Sequence, residues 1–280
     1  MYAHPEIAKN HSSRSLTMTA VTNSKIVDMT PSWAPFAGFS VLFDNPGNAI
    51  QLVDGAQMLH CVAEPGGPLD LYARLDAALG NLGSDAQARN VGFCPLPPNA
   101  YHVTVWDGIN VANLALVTPE LQQEWSAFLQ SLPGSLAAPP ASLNCVLRSA
   151  LLTRPQSTIH FRFEALRIWG NQVLVAELAA ADEISLRNLS QCASDRSLLA
   201  ESALHALGES ASPEFTPHVS LGYFANQEGG RLAQDRLPQW CSLFQDRLAG
   251  ASISFDSLTV YGFTDMTHFY RMSPQDRKPT

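Results

Sequence analysis

Polar and apolar positions in this chain follow two periods. Runs that alternate residue by residue predict strands, and apolar positions recurring every three or four residues predict helices. Residues 36–43 predict a strand, followed by a turn at Asn45-Pro46-Gly47-Asn48. Residues 57–63 predict a second strand, closed by Glu64-Pro65-Gly66-Gly67-Pro68. Leu71, Leu75, Ala78 and Leu79 predict a helix over 69–79 that stops before Gly83. A proline-bearing loop over 94–99 feeds a strand over 101–106, and Asp107-Gly108 reads as the turn after it. Thr118-Pro119-Glu120 opens a helix running to about Leu132, with Thr118 as cap and Pro119 in the first turn. In the second half, 143–148, 158–168 and 172–178 predict strands, with a turn at Trp169-Gly170-Asn171. A helix over about 182–207, with a break in its middle left open, a strand over 218–224, a helix over about 230–248, a long strand over 253–263 and a short one over 268–272 complete the pattern. Residues 1 to about 32, rich in Ser, Thr, Asn and His with little periodicity, read as a flexible arm, so that order begins near Phe36.

Within this pattern one phrase occurs twice. His102-Val103-Thr104-Val105 returns as His218-Val219-Ser220-Leu221, each on a predicted strand behind a proline-bearing loop. Alternation along a strand places His102 with Thr104, and His218 with Ser220, opposite an apolar face that anchors each strand. One phrase falls in each half, about 33–138 and 141–280. The expected architecture is therefore α+β: a bilobal duplicated unit over 33–280 with interleaved lobes. Two antiparallel sheets would face each other across a central cleft, with helices outside. No short-period repeat is present, which excludes a solenoid.

Composition narrows the function. A hydrophobic fraction of 46% suits a globular core. The net charge of -8 argues against long nucleic acid as a partner, since that requires a basic stripe, but leaves room for one phosphate in a locally positive pocket. Cys61, Cys94, Cys145, Cys192 and Cys241 are scattered without a CxxC pair, so they read as free thiols in a reducing compartment rather than disulfides or a zinc site. No run is long and apolar enough for a membrane span, and no secretory signal is evident, so a cytoplasmic location is expected.

Two histidines and two hydroxyls suit proton transfer at a phosphodiester. One imidazole takes a proton from water, the other gives one to the leaving oxygen, and the hydroxyls donate to oxygens that gain charge. Zinc fits poorly, because hydroxyls are weak ligands and no carboxylate or thiol is placed nearby by sequence, so neither metal nor cofactor is expected. A serine hydrolase fits poorly too, for want of a G-x-S-x-G turn. Two half-buried, structurally hydrogen-bonded histidines are the plain alternative. Trp106 falls on the His102 face by alternation, which makes it either a base-stacking wall of the cleft or a core residue. Arg162 shares a face with His160 and Glu164, and is either a phosphate or ribose contact or part of a solvated face. Tyr101 and Tyr223 fall opposite the histidines and read as packing residues, and Tyr261 and Phe263 read as core, with stacking on a base as the alternative.

The paired phrases, with Leu96-Pro97-Pro98-Asn99-Ala100-Tyr101 before the first and Thr216-Pro217 before the second, resemble the two-histidine (2H) phosphoesterase superfamily. The stretch is similar to a poorly characterised bacterial branch of it and to RNA 2′,3′-cyclic phosphodiesterases. The resemblance spans about Phe36 to Met272. It implies metal-independent hydrolysis of a cyclic or short 2′-linked nucleotide, acid and base roles for His102 and His218, and phosphate binding by Thr104 and Ser220. Which histidine plays which role is not legible in the residues. A sequestering nucleotide-binding module and an interaction protein with a retired site are the alternatives from other classes.

Overall fold

The computed structural model describes residues 20–28, 32–83, 91–208 and 214–272. It is an α+β fold, as the periodicity predicts. The strands are β1 (Ile26–Asp28), β2 (Ser32–Trp33), β3 (Gly38–Phe43), β4 (Ile50–Val53), β5 (Ala56–Leu59), β6 (Phe93–Pro95), β7 (Thr104–Asn110), β8 (Ile159–Trp169), β9 (Val173–Ala180), β10 (His218–Phe224), β11 (Ser252–Phe255), β12 (Leu258–Phe263) and β13 (Phe269–Arg271). The long helices are α1 (Asp70–Gly83), α2 (Pro119–Gln130), α3 (Glu183–Leu207) and α4 (Leu237–Leu248).

Two antiparallel sheets carry the fold. One has the order β11-β8-β9-β10-β6, the other β4-β5-β13-β12-β3-β7, and β1 and β2 form a small ribbon. The sheets exchange strands: β6, early in the chain, extends the sheet of β8 to β11, while β12 and β13 return to the sheet of β3 to β7. A ring cluster ties the sheets together. Phe43 of β3 stacks on Phe255 of β11 (4.9 Å) and meets Phe161 of β8 edge-on (5.7 Å).

Local chemistry explains most elements. In β8, Ile159, Phe161 and Phe163 are buried while His160, Arg162 and Glu164 are exposed, the period-two pattern of a half-buried strand. The β8–β9 hairpin turns through Gly170 and Asn171, both with positive φ. Helix α3 runs unbroken, capped by Asp182, whose carboxylate accepts from the Ser185 N–H (2.7 Å), and ended by Gly208 in the left-handed region.

Several expectations are corrected. Residues 143–148 are not a strand: they form helical turns at Ala141–Leu143 and Asn144–Leu147, continued at Ala150–Thr153, burying Leu143, Val146 and Leu151 at helical spacing. The long strand over 253–263 is two strands in different sheets, β11 and β12, broken at Asp256-Ser257. The expected 230–248 helix is a short helix, Gln227–Ala233, then a 3₁₀ turn, then α4. Asp107-Gly108 is not a turn but the middle of β7, where a Cβ on Gly108 would collide with the Phe39 carbonyl of the neighbouring strand.

The expected arm is also corrected. Residues 1–19 and 29–31 lie outside the described residues, but 20–28 are docked. The N–H groups of Thr22 and Asn23 both donate to the Ala225 carbonyl, the Asn23 amide donates to the Phe224 carbonyl (2.9 Å), and Ile26 is buried.

Gly222 marks another close approach. A Cβ there would lie 2.5 Å from the Cys94 carbonyl oxygen and from the Phe93 ring, both on β6. Gly222→Ala should therefore push β6 from β10 and destabilise the fold by about 2 kcal/mol, read by urea denaturation. A variant as stable as the parent would show that β6 is not held so closely.

Candidate active site

The two phrases meet at one point of the fold. Val103 forms an isolated antiparallel bridge with Val219. Antiparallel register about that pair sets His102 opposite Ser220 and Thr104 opposite His218. Both valines are fully buried, so the four polar side chains project to the other side, and all four line one cavity of about 390 Å³. The seam between the sheets is thus where the four side chains gather.

Each imidazole is held in the same way. His102 Nδ1 lies 2.8 Å from the Ala100 carbonyl, and His218 Nδ1 lies 2.9 Å from the Thr216 carbonyl. A carbonyl only accepts, so each Nδ1 carries the proton and each neutral ring has its lone pair on Nε2. Each ring also leans on an aromatic: His102 on Phe269 (centroids 4.2 Å) and His218 on Trp169 (4.3 Å, edge-on). Behind His102, the Asn45 amide donates to the Tyr101 carbonyl (2.8 Å), while the Tyr72 hydroxyl donates to Asn45 Oδ1 (3.0 Å).

The electrostatics of the two rings differ. Burial, reinforced by repulsion from His218 and Lys25, pushes His102 down to about 4, against the pull of its Ala100 hydrogen bond. Burial and Lys25 also lower His218, but the Thr216 carbonyl, Asp107 and Glu177 all favour its cation. His218 is therefore the readier of the two to carry a proton.

The cavity continues past Thr104, Asp107, Trp169 and His218, which line both parts, into a second hollow of about 430 Å³ that adds Glu177, Arg196 and Phe215. Arg196 is buried, its Nε donating to the Val105 carbonyl (2.7 Å) and its guanidinium stacked over Phe215.

A bulge follows the hydroxyl in each phrase. Leu42 pairs with Thr104 and Val41 with Trp106, so Val105 is an extra residue in β7. Ser220 pairs with Val175 and Gly222 with Leu174, so Leu221 is an extra residue in β10. Each bulge reverses the alternation beyond it, which decides one assignment and corrects another. Trp106 turns away from the cleft into the core, 1% exposed, beside Phe39 (5.8 Å), which in turn stacks on Trp125 of α2 (5.0 Å). Asp107 takes its place on the cavity wall. Conversely, Tyr223 turns into the cavity rather than away from it.

Arg162 lies outside the cleft: it is half exposed, pairs with Glu164 on its own strand and lines a separate concavity near the end of α4. Phe263 lines the cavity as well as packing in the core. Tyr261 is a core residue whose hydroxyl donates to Asp44, a carboxylate held also by Arg271 and Thr259. The residues of the site that sequence reasoning missed are Lys25, Asp107, Trp169, Phe269, Glu177 and Arg196. Lys25 was hidden in a segment without periodicity, Asp107 by the bulge, and the rest sit on elements remote in sequence from either phrase.

All five cysteines are free thiols. Among the described residues, no helix is long and apolar enough to cross a membrane, and no three His, Cys, Asp or Glu side chains are grouped to hold a metal ion.

No protein-family model and no curated protein matches the chain. Among solved structures, it resembles a conserved protein of unknown function from Agrobacterium tumefaciens, ATU0111, with a TM-score of 0.51 and 17% identity over 89% of each chain. That likeness shows a shared fold. Weaker likenesses are to Kluyveromyces marxianus Usb1, alone (TM-score 0.35, 11% identity) and with uridine monophosphate (TM-score 0.36, 8% identity). Each of these covers 85% of this chain and 98% of that one.

Proposed function

We propose that this chain is a metal-independent phosphodiesterase that opens a 2′,3′-cyclic phosphate or cuts a related short 2′-linked or cyclic nucleotide. The observation that carries this reading is the Val103–Val219 bridge, which gathers two imidazoles and two hydroxyls on one face of one cavity. The resemblance of the two phrases to 2H phosphoesterases agrees with it.

In this reading His102 is the base and His218 the acid. His102 Nε2 takes a proton from water as the water oxygen bonds to phosphorus. The bond from phosphorus to the leaving ribose oxygen breaks, and His218 Nε2–H supplies that oxygen's proton. Thr104 and Ser220 donate hydroxyl hydrogens to the non-bridging oxygens, which gain charge at the transition state. The product is a phosphate monoester, and the two rings reset by exchanging protons with solvent.

The test is hydrolysis of a 2′,3′-cyclic nucleotide in excess chelator. Thr104→Val and Ser220→Ala should each lower kcat by roughly 10²-fold, as loss of one preorganised donor does, with little change in KM. Activity that disappears with chelator, or that survives loss of both hydroxyls, contradicts the proposal.

A further inference from the structure

Resting on the phosphoester reading, we propose that Lys25 is a third phosphate-contacting group of the cleft, and that residues 20–28 serve to deliver it. The half-buried Lys25 lines the same cavity as His102, Thr104, His218 and Ser220. Its Nζ lies over the ring faces of Phe36 (4.9 Å) and Tyr223 (4.8 Å), and 3.4 Å from the Tyr223 hydroxyl. Two rings hold the ammonium in place without neutralising it. Among the described residues no carboxylate forms an ion pair with it.

The Tyr223 hydroxyl contacts this ammonium, which also acts electrostatically on the imidazoles of His102 and His218, and Asp107 lines the same cavity. Glu177 lines the adjoining hollow beside His218. A partly desolvated cation near two rings that must take up protons in turn is unfavourable by itself. An anion in the cavity relieves it. Among the described residues, Lys25 is the sole Lys or Arg side chain lining the part of the cavity that holds both imidazoles and both hydroxyls.

The anchoring of the segment supports delivery as its role. The backbone N–H groups of Thr22 and Asn23 and the Asn23 amide all bond to the end of β10, the strand that begins with His218. Asn226 holds the Ala20 carbonyl (2.7 Å), and Asn23 Oδ1 accepts from the Lys25 N–H itself (3.1 Å). The ammonium is thereby registered to the strand that carries one of the two imidazoles.

Lys25→Gln should lower kcat/KM about 10²-fold at unchanged thermal stability, and Lys25→Arg should restore most of it. The acid limb of the kcat/KM profile should move to higher pH in Lys25→Gln, because the cation that disfavours imidazolium is gone. In the His102→Ala/His218→Ala background, which removes turnover, adenosine 2′-monophosphate titrated by NMR should bind about tenfold more weakly once Lys25→Gln is added. Equal binding with and without Lys25, or full activity in Lys25→Gln, overturns this proposal. Wild-type protein that binds the nucleotide through Lys25 but hydrolyses no cyclic phosphate would overturn the phosphodiesterase reading and leave the Lys25 contact standing.

Discussion

His102→Ala and His218→Ala are each expected to slow hydrolysis of a 2′,3′-cyclic nucleotide by about 10³-fold, within the range for loss of a positioned acid or base. The two losses should differ in kind. A good leaving group needs no proton, so a p-nitrophenyl phosphodiester should recover much of the rate in His218→Ala and little in His102→Ala, where water still lacks its base. The distinction follows from the surroundings: Lys25 disfavours both cations, but His218 has Asp107 and Glu177 to favour its own, whereas His102 has the repulsion of His218 against it. The double variant should be little worse than the more damaged single one, because the two rings act in one proton relay. Rescue of His102→Ala instead would reverse the assignment of roles, and neither variant losing activity would remove the histidines from the reaction.

The second large effect is on pH. The base must be neutral and the acid protonated in the same molecule. His102, held near 4, is neutral above that value, and His218, lowered from 6.5, is protonated only below its own shifted value. The kcat/KM profile, which reports the free enzyme, should thus be a bell on the acid side of neutrality, rising through about 4 and falling below 6.5. A bound phosphate anion favours both imidazolium forms, so the kcat profile should lie at higher pH than that of kcat/KM. Rates measured at saturating and at limiting substrate between pH 3.5 and 8.5 separate the two. A profile flat across this range would exclude the two imidazoles as the transferring groups.

The phrase at His102 and its copy at His218 were legible because strand alternation and residue chemistry are both local. Their meeting across Val103 and Val219 was not, since no local rule sets the register of strands so far apart in sequence. The bulges at Val105 and Leu221 show the limit most clearly. An extra residue leaves no mark in an apolar run, yet it turned Trp106 into the core, brought Tyr223 to the cavity and put Asp107 on the cavity wall. The Arg196 side chain that bonds to the bulged Val105 carbonyl comes from the middle of α3, where a helix reading sees only one more surface charge. Lys25 was passed over for a different reason. Residues 20–28 owe their order to hydrogen bonds with the end of β10 rather than to any periodicity of their own. Helix α3 was the nearer case: its ends were readable to within a residue or so, while the break left open in its middle does not occur.

The most direct test of the central claim is ³¹P NMR of a 2′,3′-cyclic nucleotide incubated in excess chelator with the parent protein and, separately, with His102→Ala/His218→Ala. The account predicts conversion of the cyclic phosphate signal to a monoester by the parent and none by the variant. Conversion by the variant at the parent rate, or none by the parent with any cyclic phosphate or 2′-linked oligonucleotide, would contradict it.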